Sequence, residues 1–188
     1  PGPGPFPTSA TDSARHRATL YLEDLTDLLY ETIAPHLFLN RYAEQIMQAT
    51  SSFDGIAKAL AEPLSFTDEL LLEALAPLLA GSSPDVVGLT VPFPGNLFGA
   101  LRIAQAIKAQ RPATAVVLGG GYVNTELRRL KDPRLFRYVD YVTLDDGERP
   151  FLCLLDFLAG GRSQATLCRT FVLADGQVVF QNGNTEPD

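Results

Sequence analysis

The spacing of apolar positions changes period along this chain. From about residue 23 to residue 79 they recur every three to four residues, the period of amphipathic helices. Leu25, Leu28, Leu29 and Ile33 share one helical face. Leu37, Tyr42, Ile46 and Met47 mark a second helix ending near Thr50-Ser51-Ser52, and residues 53–61 make a third, stopped by Pro63. A fourth follows Thr67 with Leu71, Leu75, Leu78 and Leu79 turned inward. Its start, Ser65-Phe66-Thr67-Asp68-Glu69, offers a hydroxyl cap and early acidic residues that favour the helix dipole. Ahead of these helices, residues 1–13 read as loop, because four prolines and two glycines in the first seven residues forbid regular structure. Residues 18–22 (ATLYL) predict a short strand.

From residue 85 the pattern becomes an alternation of strand and helix. Continuous apolar, β-branched runs at 85–91, 114–118 and 138–144 predict buried strands. The helix after Pro94-Gly95-Asn96 places Leu97, Leu101, Ala104 and Ile107 on one face, with Arg102, Gln105, Lys108 and Arg111 elsewhere. The helix after Glu148 gathers Phe151, Leu154, Leu155 and Leu158. Such alternation implies right-handed crossovers and a parallel sheet in the α/β class. Residues 169–180 predict two strands about the turn Asp175-Gly176, a hairpin signal. The organisation expected is a proline-rich start, short strand and helical segment over 1–83, an α/β core over 84–165, and a hairpin and linker over 166–188. With no strand–helix pair ahead of residue 18 and a loop-like end at residues 181–188, both ends read as cuts through a longer polypeptide.

Composition and charge narrow the class. At 188 residues, 46% apolar and 20% charged, the chain is long and apolar enough for one domain with a real core. No apolar stretch approaches the ~18 residues of a membrane span, and no signal-peptide layout opens the chain, so a cytoplasmic protein is expected. The formal net charge of −7 belongs to the N-terminal part. Residues 1–83 hold 4 Lys/Arg against 11 Asp/Glu, while residues 84–188 hold 11 of each. No basic surface for nucleic acid is predicted. Cys153 and Cys168 lack metal-site spacing and read as buried thiols, and His16 and His36, without paired carboxylate or Cys neighbours, read as surface or satisfied histidines.

Candidate chemistry gathers where the three strand-like runs end, since loops at the carboxyl ends of parallel strands form the cofactor-binding rim of open α/β folds. Thr90-Val91-Pro92-Phe93-Pro94-Gly95 offers a hydroxyl and the Phe93 ring to a ligand, or alternatively a rigid proline turn with Asn96 as helix cap. Gly119-Gly120-Gly121 allows a flat or anionic ligand close to the backbone, or alternatively a tight strand-to-helix turn, with residues 123–130 starting a helix. Asp145-Asp146-Gly147-Glu148 places carboxylates at the same rim, or caps a helix through Asp146 with Pro150 near its start. The order Gly-x-Gly-x-x-Gly, a P-loop Gly-Lys-Ser/Thr and a Gly-x-Ser-x-Gly elbow are all absent, which argues against NAD, ATP and a serine hydrolase.

The ordered set DVVGLT (85–90), AQAIK (104–108), VVLGG (116–120), VDYV (139–142) and GE (147–148) resembles the N-terminal cobalamin-binding-type domain of radical S-adenosylmethionine enzymes, over about residues 84–160. The resemblance implies a flavodoxin-like (Rossmann-like) three-layer parallel sheet with an N-terminal helical segment and a C-terminal β-hairpin, holding cobalamin at the strands' C-terminal rim. It puts Thr90, Val91 and Phe93 in the first loop, Gly119, Gly120 and Gly121 beside the cofactor's nucleotide tail, and Asp146, Gly147 and Glu148 in the third loop. It implies as partner a C-terminal radical domain of the same polypeptide, carrying a [4Fe–4S] cluster and S-adenosylmethionine and acting on a small-molecule or peptide substrate as a methyltransferase or cyclase-like enzyme. The cluster's Cys-x3-Cys-x2-Cys motif does not occur in this chain, which is not catalytic alone. The cobalt-ligating Asp-x-His-x-x-Gly motif does not occur either, so cobalamin would bind without a histidine from it. The competing expectation is a cofactor-free structural or substrate-positioning domain of the same fold. A response-regulator-like domain is disfavoured, because the acceptor carboxylates expected at its first and third strand ends are missing.

Overall fold

The three continuous apolar runs form the parallel part of one sheet. In the computed structural model, which describes residues 9–32, 53–145 and 147–183, they become β1 (Val86–Thr90), β2 (Ala115–Gly119) and β3 (Tyr141–Thr143). β1 and β2 pair in parallel from Val86 opposite Ala115 to Thr90 opposite Gly119. β2 and β3 pair in parallel through Val117 opposite Tyr141 and Leu118 opposite Val142. The predicted hairpin is β4 (Thr170–Ala174) and β5 (Gln177–Gln181). Its turn residues Asp175 and Gly176 take positive φ of 50° and 76°, the sense that matches the twist of antiparallel strands. β4 bonds antiparallel to β3, so the hairpin extends the same sheet. The sheet is five-stranded and mixed, in the order β1-β2-β3-β4-β5, an α/β architecture consistent with a flavodoxin-like fold.

Alternate strand residues feed two apolar layers, because successive side chains leave a strand on opposite faces. On one face Val116, Leu118, Val142 and Phe171 pack with Leu97, Leu101, Ala104 and Ile107 of α4 (Leu97–Gln110) and with Val123 of α5 (Gly121–Glu126). On the other, Val117 and Val172 pack with Leu154 of α6 (Glu148–Leu158) and with Leu167. Both helices that join parallel strands therefore lie on one face, and α6 covers the opposite face over β2 to β4. β1 lies at the sheet edge, where Val86 packs against this second layer while Gly88 and Thr90 are exposed.

The helices α2 (Asp54–Ala61) and α3 (Phe66–Ala80) join the first of these layers through Ile56, Leu60 and Leu79. The predicted cap of α3 is a full capping box, with the Ser65 hydroxyl accepting from the Asp68 amide and the Asp68 carboxylate accepting from the Ser65 amide. Leu79 is buried as expected, whereas Leu78, on the outer side of the same helix, is 71% exposed.

Three expectations are corrected. Residues 18–22 are not a strand but the middle of α1 (Ala10–Thr32), which also takes in residues 10–13, expected as loop. The window ATLYL is too short to show its period. Ser9 and Asp12 make a reciprocal cap, and Thr19 and Thr26 return their hydroxyls to the carbonyls of Arg15 and Leu22, which reconciles them with a helix. Asn96 does not cap α4 with its side chain; it closes a 3₁₀ turn (Pro94–Asn96) that runs straight into the helix. Arg102, expected away from the apolar face, is nevertheless buried at 3% exposure. The helix expected around Leu37, Tyr42, Ile46 and Met47, together with His36 and Asp146, lies outside the described residues.

Candidate functional site

The first two strands end against each other through backbone alone. The Val91 amide donates to the Gly119 carbonyl at 2.7 Å, and the Tyr122 amide donates to the Val91 carbonyl at 3.1 Å. Gly120 turns the chain at φ 109°, where a Cβ would stand 2.7 Å from the Val91 carbonyl oxygen, and a Cβ on Gly121 would stand 3.0 Å from that of Pro92. Only glycine fits at Gly120, for both conformation and space. Val91 is fully buried in this junction and Phe93 is half exposed.

Beside the junction, on the part of α6's face of the sheet that the helix leaves open, lies a cleft of about 380 Å³. Its floor is Gly88 and Thr90 of β1, Val117 and Gly119 of β2, and Thr143 of β3, with Leu89 and Gly120 at the margin. Asp145, Gly147 and Glu148 line it from the third loop, and Phe151 of α6 walls it. Gly88 and Gly119 keep the floor flat. A Cβ at Gly88 would project toward the Phe151 ring, 4.0 Å away, and one at Gly119 would reach the Thr143 hydroxyl at 3.1 Å. The cleft exists because two glycines and two threonines occupy sheet positions where larger side chains would fill the space above the strands.

Asp145 is the charged group most firmly placed at this cleft. It takes a positive φ of 63°, a conformation that Asp tolerates better than most residues. The Asn124 side chain brackets its backbone, the amide nitrogen donating to the Asp145 carbonyl at 2.7 Å and the amide oxygen accepting from the Asp145 N–H. Its carboxylate lies between Arg169, 3.1 Å away, and Arg128. Burial pushes the Asp145 carboxyl up, but the hydrogen bonds and charges of Arg169 and Arg128 outweigh it and hold the group below its ordinary value. Arg169, on the adjacent strand's approach, also has positive φ at 44°, and its carbonyl accepts from the Leu144 amide at 2.9 Å. The third loop is thus fixed by α5 on one side and by the start of β4 on the other.

Of the residues predicted to form the rim, the structure brings Thr90, Gly119, Gly120, Gly147 and Glu148 together in the cleft. Val91, Phe93 and Gly121 do not line it, and the N-cap position of α6 falls on Gly147, at φ 83°, without a side-chain cap. Sequence reasoning missed Gly88, Val117, Thr143 and Phe151. The period of two, counted back from Thr90 to Gly88 and from Gly119 to Val117, was the available signal for the first pair. Among the described residues no cluster of His, Cys, Asp and Glu could hold a metal ion, and no helix is long and apolar enough to cross a membrane. Cys153 and Cys168 are buried thiols outside any disulfide, as expected.

No family model and no curated protein matches this chain. Among solved structures, it is similar to the radical S-adenosylmethionine methyltransferase TsrM from Kitasatospora setae, determined with a tryptophan substrate and a SAM analog bound. The two share 23% identity at a TM-score of 0.47, over 61% of this chain and 22% of that one. The chain therefore corresponds to less than a quarter of that protein's length.

Proposed function

We propose that this chain is a cobalamin-type cofactor module, the N-terminal domain of a larger radical S-adenosylmethionine enzyme. The observation that carries this reading is the flat glycine floor of the cleft at the carboxyl ends of parallel strands, which coincides with the VVLGG segment of the ordered motif set. A cleft of 380 Å³ lies at the lower end of the ~300–1,000 Å³ usual for small-molecule sites. It suits the flat base at the end of the cofactor's nucleotide tail rather than the macrocycle, and in that respect the residues present fit the group. Gly88 and Gly119 admit a ring edge-on, Phe151 offers it an apolar face, and the hydroxyls of Thr90 and Thr143 offer hydrogen bonds. Asp145, kept ionised by its arginines, supplies a fixed acceptor at the mouth. Cobalamin, when bound, would supply the cobalt chemistry; these residues bind and orient its tail, and no histidine is among those lining the cleft. The [4Fe–4S] cluster, S-adenosylmethionine and the substrate, small molecule or peptide, belong in this reading to a C-terminal domain of the same polypeptide, in a methyltransferase or cyclase-like enzyme.

The second reading, a cofactor-free positioning domain, draws on Gly120, whose presence is already explained by its packing on Val91. Hydroxocobalamin distinguishes the two. On gel filtration the red chromophore should co-elute with the 188-residue chain and change its visible absorbance. Gly88→Leu, on an exposed edge-strand position, should leave the circular dichroism unchanged and weaken binding at least tenfold by filling the cleft. Free elution of the chromophore from the unsubstituted chain at saturating concentration overturns the cofactor reading in favour of the second.

A further inference from the structure

The 23-residue helix α1 (Ala10–Thr32) has no buried residue among those whose side chains are described. Leu20, Tyr21, Leu22, Leu25 and Leu28 stand between 45% and 76% exposed. One stripe of the helix is small or apolar throughout, with the hydroxyl of Thr11 at its start. Thr11, Ala14, Ala18, Tyr21, Leu25 and Leu28 alternate steps of three and four, the seam of a two-stranded coiled coil. The seam is lopsided, small in its N-terminal half and large in its C-terminal half. A parallel pair would set small against small and large against large. An antiparallel pair sets Leu25 against Ala14 of the second copy, Leu28 against Thr11 and Tyr21 against Ala18, so that every layer holds one large and one small residue.

Charge selects the same arrangement. Arg17, Asp24 and Glu31 follow one another at intervals of seven along one flank of the seam, while Arg15, Leu22 and Leu29 follow the other. Antiparallel helices bring like flanks together, so Arg17 of each copy meets Asp24 of the other in the same register that pairs large with small. A parallel pair would set Arg17 and Asp24 against Leu22 and Leu29. We propose that α1 is a self-association helix through which two copies of this chain pair antiparallel, with reciprocal Arg17–Asp24 contacts flanking the seam. The surface is separate from the cleft, and the inference stands independently of what the cleft binds.

Analytical ultracentrifugation of the 188-residue chain tests it. At high micromolar concentration the chain should sediment as twice its 20.4 kDa mass. Arg17→Asp and Asp24→Arg should each weaken the dimer about tenfold, and the double variant should restore it. Direction is read by cross-linking: a mixture of Ala14→Cys and Leu25→Cys chains should yield a disulfide heterodimer. Ala14→Cys alone should yield none, since the two copies of residue 14 lie ~16 Å apart along the axis at 1.5 Å per residue. The native Cys153 and Cys168 are buried and do not compete. A monomer at every concentration, a charge-swapped chain that stays monomeric, or self-cross-linking of Ala14→Cys each overturns the proposal.

Discussion

Asp145 shows how much a single position carries at this cleft. It holds a left-handed backbone, accepts from two arginines and fixes a loop between α5 and β4. Asp145→Ala removes the carboxylate and keeps the unfavourable φ, whereas Asp145→Gly removes the carboxylate and relieves the backbone. The glycine variant should therefore be the more stable of the two by about 1 kcal/mol in urea denaturation, the usual order of the left-handed penalty. The carboxyl's folded pKa is depressed below 3.8, which sets the sign of its pH dependence. Its contribution is fully present above the unfolded value near 3.8 and is lost as pH falls through the folded value. The stability gap between the natural chain and Asp145→Asn should accordingly be widest near neutral pH and close in acid, which urea midpoints at a series of pH values will read. A gap that persists unchanged into acid would show that the charge is not what matters. The acidic string at residues 145–148 marked this rim in the sequence, but the partners Asn124, Arg128 and Arg169 are 17 to 24 residues away. Local spacing carries no information about them.

At the scale of elements, Arg102 of α4 and Arg111, the residue that follows the helix, tie the N-terminal helices to the sheet. Arg102 donates to the carbonyls of Leu60, Ala59 and Glu62 at the end of α2 at 2.8 to 3.1 Å, and its Nε lies 3.3 Å from the buried Asp68 carboxylate of α3. Arg111 donates to the carbonyls of Leu79 and Ser82 at the end of α3, both at 2.6 Å. Each guanidinium adds donors to carbonyls at a helix C-terminus, where the intrahelical ladder runs out, and places positive charge at the negative end of the helix dipole. Removing Arg102 leaves Asp68 buried without its counter-charge, so Arg102→Met should cost about 3–5 kcal/mol. Arg102→Met/Asp68→Ala should cost less than the sum of the two single changes, as expected for groups in one network. Additive losses in guanidinium denaturation would rule out this coupling. Helical periodicity marks Arg102 as polar; only the neighbouring helix ends turn that polarity inward.

For the molecule as a whole, one apolar layer joins segments far apart in the chain. Ile56, Leu60 and Leu79 share a cluster with α4, β2, β3 and β4, so α2 and α3 belong to the same folding unit as the sheet rather than to a detachable subdomain. Leu60→Ala, at 1% exposure, should cost about 2–5 kcal/mol. In native-state hydrogen exchange the amides of β2 and α2 should lose protection together. Separate loss of protection in α2 alone would instead make it an independent unit. The strand order also locates the cleft. With β1, β2 and β3 adjacent in chain order and both connecting helices on one face, the described strands offer no reversal point at which a crevice would open. The crevice forms instead where α6 stops short of the edge strand.

What the sequence by itself determined are features written in consecutive residues. These are the β-branched apolar runs of the parallel strands, the amphipathic period of α4, the capping box at Ser65, the Asp-Gly hairpin turn and the strand-end loops that border the cleft. They are legible because backbone conformation and side-chain alternation follow local rules with periods of two and 3.6 residues. The tertiary structure alone decided which residues share a space: Gly88, Val117, Thr143 and Phe151 around one cleft, Arg102 inside rather than outside, and Asp145 between two distant arginines. Those pairings depend on strand register and on how far a helix extends across a sheet, quantities set by packing between segments and encoded in no single stretch of the chain.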